Sequence, residues 1–144
     1  MYSYRPIQVR DCQGALWAFY RKYEGVALAS FEGDLSSLDF NPISGSSGQE
    51  TSALKRQTLL PELDFVVVPV TNENIGALKA LLSKPGVLGK DGTVIHAQIE
   101  VAGETIFSAC DNFHDDCTVT SRSVPKAFLD QLKQVGVLRG YSDS

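Results

Sequence analysis

The sequence predicts an α+β fold: a mostly antiparallel or mixed sheet with about three helices packed on one face. Three observations lead there. Apolar residues recur at helical spacing in three short stretches, each bounded by capping or breaking residues. Between them lie runs rich in β-branched residues or alternating in polarity. Two of those runs flank Ala102-Gly103, a hairpin signal that favours antiparallel pairing. The chain has 144 residues, 43% hydrophobic and 21% charged, enough to bury one core without staples, so residues 1–144 read as a single domain.

Tyr4 to Arg10 reads as a first strand, with Pro6 restricting it to an edge or a strand start. Asp11 can cap a helix whose apolar side is Leu16, Phe19 or Tyr20, and Tyr23. Gly25 ends that helix, with Arg21 and Lys22 in its last turn. Val26 to Phe31 is a short buried strand. Asn41 to Ser52 holds four Ser, two Gly and one Pro, with Ile43 its sole apolar residue, so it is an exposed loop, either a lid or a mobile insertion.

Leu63 to Val70 is the strongest strand, continuous and buried on both faces. Thr71 or Asn72 caps the next helix, whose Ile75, Leu78 and Leu82 share one face, and Pro85-Gly86 ends it. Val94 to Val101 and Thr105 to Asp111 form the hairpin. Val119 continues as a further strand. Ser123 caps a last helix with Pro125 in its first turn, Phe128, Leu132 and Val135 inward and Gly136 at its end.

Charge is unevenly distributed. The stretches between Lys22 and Lys55 and between Lys90 and Arg122 together hold 11 of the 17 acids and none of the 13 bases. Folded onto one side, they make a surface suited to a basic protein partner. The net charge of −4 argues against general nucleic-acid binding, which needs a basic surface. No apolar run approaches the roughly 18 residues of a membrane span. The first residues lack a signal-peptide pattern, and three cysteines cannot all pair. Both observations point to a reducing, cytoplasmic setting.

The densest chemistry is Cys110, Asp111, His114, Asp115, Asp116 and Cys117. Alternation along Val94 to Val101 places His96, Gln98 and Glu100 on the polar face. A two-residue turn then pairs Ile99 with Ile106, Ala97 with Ser108 and Ile95 with Cys110. In that register His96 meets Ala109 with Asp111 diagonal to it, roughly 7–8 Å away. A metal site from His96, Asp111, His114 and Cys117 has acceptable ligand types but none of the diagnostic spacings. A nucleophile pairing Cys110 or Cys117 with His96 or His114 is disfavoured, because the neighbouring carboxylates raise a thiol's pKa. In the structural reading Cys110 is a small core residue, and Asp111-Asn112 turns the chain while Phe113 anchors it. No Walker loop, dinucleotide fingerprint or nucleophile elbow occurs, and no cofactor is expected.

The segments Leu63-Asp64-Phe65-Val66-Val67-Val68-Pro69-Val70, His96-Ala97-Gln98-Ile99-Glu100 and Asp111-Asn112-Phe113-His114 resemble small uncharacterised bacterial proteins of the toxin-immunity kind. The likeness covers roughly the second half of the chain and carries no catalytic motif. It implies a non-enzymatic inhibitor that meets a basic toxin with carboxylates, in line with the charge map. No residue roles carry over from the likeness; the segregation of charge makes Asp111, His114, Asp115 and Asp116 the expected contact residues, with Glu32, Asp34 and Asp39 as a second patch.

Overall fold

A computed structural model describes residues 3–143. In chain order it contains β1 (Tyr4–Val9), α1 (Cys12–Lys22), β2 (Ala27–Gly33), β3 (Asp64–Val70), α2 (Asn72–Leu82), β4 (Val94–Val101) and β5 (Glu104–Ala109). A 3-10 turn (Asp115–Cys117), β6 (Val119–Ser121), α3 (Lys126–Gln134) and β7 (Leu138–Tyr141) follow. The strands form one antiparallel sheet in the order β3-β2-β4-β5-β6-β1-β7. The α+β class is therefore as the sequence predicts, with β7 the strand that its short, Gly-containing sequence hides.

Local signals act where expected in two helices. The Asp11 carboxylate accepts from Gly14 N–H, and the Thr71 hydroxyl from Asn74 N–H, so each N-cap satisfies an otherwise orphan donor. The third helix differs. Pro125 is its N-cap and supplies no side-chain bond, while Ser123 Oγ donates instead to Glu104.

All three helices contribute to one core. Leu16, Phe19, Leu78, Leu82 and Leu129 are fully buried against Ile7, Ala29, Phe31, Val68, Ile99 and Phe107. Phe19 packs on Phe107 at 4.9 Å and edge-on to Phe128 at 5.1 Å. The sequence leaves the strand order open, and β3 lies at the sheet edge, where the missing N–H of Pro69 breaks no ladder. It is buried on both faces because residues 49–63 form a strap over the back of the sheet, with Leu54 on Phe65 and Val67. The exposed loop 41–52 is anchored by Ile43, which is 2% exposed, and by the bridge of Ser47 to Val67.

Positive φ at Ala102 and Gly103 closes the β4–β5 hairpin. A bulge next to it shifts the pairing by one residue, so that Ile99 faces Phe107 and Ala97 faces Ala109. The bulge brings two consecutive residues, Ile106 and Phe107, into the core and leaves Ser108 on the back face opposite Gln98.

Candidate functional site

Antiparallel pairing of every neighbour brings the ends of β1, β2 and β5 and the starts of β3, β4, β6 and β7 to one margin of the sheet. Both acid-rich stretches contribute to that margin. Asp34 leaves β2 with its N–H on Thr93 O, Asp64 begins β3 and Asp91 precedes β4. Asp111 follows β5, and Asp115 and Asp116 precede β6. Glu32, next to the end of β2 and opposite His96, is at the same end of the sheet but buried. Glu24 is at the opposite end of β2, and Glu104 begins β5, where it accepts from Ser121 and Ser123.

The β5–β6 connection is the most constrained piece of this margin. Asp111, Asn112 and Phe113 all have left-handed backbone, with φ of 49°, 57° and 64°. Asp and Asn tolerate that region, whereas for Phe it costs on the order of 1 kcal/mol, so tertiary contacts must hold it. They do. Asn112 Nδ2 donates to Gly92 O (2.9 Å) and Val94 O (3.1 Å), and Asn112 N–H donates to Ile95 O (2.8 Å). Phe113 is buried near Phe107, and the Cys110–Cys117 disulfide closes the loop.

His96 ties this turn to the strap. The Asp111 N–H donates to its Nδ1 at 3.2 Å, so the ring is neutral with its proton on Nε2, facing the Thr58 hydroxyl at 2.9 Å. Burial holds the imidazole below its ordinary 6.5, against the opposing pull of the Glu32 and Asp111 carboxylates. The expected nearness of His96 and Asp111 is thus real, but the contact runs through a backbone amide rather than a carboxylate. The one-residue register shift places Asp111 to make it.

An open cleft of about 550 Å³ lies against the turn. Asp91, Asp111, Asp115 and Asp116 contribute four carboxylates to its lining, set against Lys90 and Arg139. Arg139 pairs with Asp115, so that carboxylate is neutralised by a native base. Asp116 is largely exposed, and His114 Nδ1 accepts from its N–H at 3.1 Å, capping the 3-10 turn.

The second predicted patch comes apart. Asp34 stays exposed at the margin, bound to Ser36 N–H and Oγ, which lower its carboxyl pKa. Asp39 lies away from it, beside Pro42 and Lys84 near the end of α2. Glu32 is 1% exposed and unavailable to any partner. Its carboxylate accepts from Gln57 N–H (2.8 Å) and Thr58 N–H (3.1 Å), pinning the strap, as the Thr51 hydroxyl does on Glu100.

The metal and thiol alternatives do not survive the geometry. Both ring nitrogens of His96 are engaged, and Cys117 is in a disulfide, so neither is a ready ligand. Among the described residues no group of three or more His, Cys, Asp and Glu side chains is arranged to hold a metal ion. Pairing of Cys110 with Cys117 also replaces the reading of Cys110 as a small core residue. Cys12 alone remains a thiol, its pKa raised by burial and by Asp11.

The sequence reading misses the strap tip. Leu59 is 77% exposed and Leu60 92%, two large apolar side chains next to Thr58 and hence one imidazole away from Asp111. Two adjacent leucines in a polar segment are the signal that marks them. No family model, no curated protein and no solved structure matches the chain.

Proposed function

We propose that the protein is a non-enzymatic binding module that docks a basic protein partner on the margin formed by Asp34, Asp111 and Asp116 and the Leu59–Leu60 tip, in the manner of an inhibitor of the toxin-immunity kind. One observation carries this reading: two exposed leucines directly follow Thr58, which His96 links to the Asp111 turn of the acidic margin. Apolar anchors with surrounding charge are what a protein interface uses, the anchors supplying affinity and the charges steering the encounter. The rigidity of the Asp111–Phe113 turn adds support, since left-handed backbone held by many bonds is characteristic of sites shaped for contact. Glu32 and Asp39 are no longer part of the face, and Asp115 contributes only through its pair with Arg139.

The test is parallel affinity capture on the wild type, on Asp111→Lys/Asp116→Lys and on Leu59→Ser/Leu60→Ser, at low and high salt. The expected result is a basic protein held by the wild type, lost from both variants and released by salt. The same proteins captured on all three baits would refute the reading.

A further inference from the structure

Away from the acidic margin, three cationic side chains from different elements meet on one carboxylate. Arg5 of β1 is 8% exposed and faces the helix side of the sheet. Its Nη1 donates to Arg122 O (3.3 Å) and Val124 O (3.2 Å), which fixes the guanidinium, and its Nε donates to Asp143 Oδ1 at 2.7 Å. Arg122 Nη1 reaches the same oxygen at 3.1 Å, and its Nη2 donates to the main-chain oxygen of Asp143 at 3.0 Å. Lys126 Nζ pairs with Oδ2. Lys126 and Arg5 hold the Asp143 carboxyl well below the usual carboxylate range.

Two features set this cluster apart from a surface ion pair. The buried Arg5 needs a negative partner, because a guanidinium taken out of water and left unpaired is strongly destabilising. The start of α3 also lacks an acid in its first turn and a side-chain cap, and it opens on Lys126, so its positive end adds to the demand for an anion. The donors hold three oxygens of Asp143, two on the carboxylate and one on the main chain. A simple carboxylate offers two oxygens, whereas a phosphate group offers at least three.

We propose that Arg5, Arg122 and Lys126 form a binding site for a phosphate group, such as that of a phosphate monoester, which Asp143 fills from within the chain. Asp143 acts as a tethered competitor: its carboxylate is 41% exposed and must leave before a ligand can enter. The inference is independent of the partner-docking face, which shares none of these residues.

The experiment uses the full chain with Asp143→Ala and Asp143→Asn, inorganic phosphate as the probe, and ionic strength held constant with chloride. Phosphate is expected to raise the Tm of both variants in a saturable way and to shift the Arg5 Nε–H resonance. Its Kd should be about tenfold or more below that of the wild type. Adding Lys126→Gln to the Asp143→Asn background should weaken phosphate by about tenfold, as one charge-assisted contact is lost. If Asp143→Ala fails to fold, Asp143→Asn carries the test. If neither variant folds, phosphate titration of the wild type, read at the Asp143 carboxyl carbon, must show displacement. A folded variant that binds phosphate no better than the wild type would overturn the site. So would stabilisation by chloride equal to that by phosphate, or acetate binding as tightly as phosphate.

Discussion

On the helix side of the sheet, Phe19, Phe31, Ile99 and Phe107 are buried among leucines, and around these rings shape decides what fits. On the strap side, Glu32, Gln98 and Glu100 are buried as well, but beneath a segment without regular structure whose amides and hydroxyls must point at them. Burial of a carboxylate is tolerable only where donors replace water, so the strap is fixed by a few directional bonds rather than by area. The comparison teaches where the molecule can be perturbed. The helix side answers to volume, the strap side to hydrogen bonding and protonation, and the acidic margin is attached to the second.

The sharpest way to break the contrast is through volume. Phe107→Ala removes a ring packed on Phe19 and Phe113, and should cost about 3–5 kcal/mol in chemical denaturation without preferential exposure of the strap. A smaller effect is expected from Glu32→Ala, which strands the Gln57 and Thr58 amides at a cost of roughly 1–3 kcal/mol. Limited proteolysis should then cut within residues 49–63 well before the rest of the chain. Uniform digestion would show that the strap is held by something else.

The smallest effect is a pH dependence centred on His96. Its folded pKa lies below the ordinary 6.5, so the unfolded chain takes up the proton more readily. The stability linked to this group is therefore complete above the unfolded value and is lost as pH falls through the folded one. Protonation also puts a hydrogen on Nδ1, against the Asp111 N–H that now donates to it. Wild type should lose stability between about pH 7 and 5 relative to His96→Gln, whose profile should be flatter there. Parallel profiles would remove His96 from the linkage.

Much of the architecture is legible in the residues because local and global signals agree. Asp11, Thr71 and the Ala102-Gly103 turn each specify their own boundary. The edge position of β3 is less legible, since a strand covered by helices and a strand covered by a strap bury the same valines. The bulge beside Ile99 is invisible in alternation, and one shifted residue moves Phe107 to the core and Ser108 to the back. At the acidic margin, the exposed Asp34, Asp111 and Asp116 belong to stretches that charge density marks. Glu32 could not be excluded by it, because a buried acid and an exposed one are written with the same letter. Thr58, which no motif distinguishes, matters only because the strap brings it to His96.

The loop from Cys110 to Cys117 spans a sequence separation of only 7 and is closed by a covalent cross-link. With Asn112 bolted to β4 as well, few torsions there remain to be frozen when another molecule arrives. Association at this end of the sheet then forfeits little chain entropy, and the lifetime of a complex would be decided by contact quality rather than by a folding step.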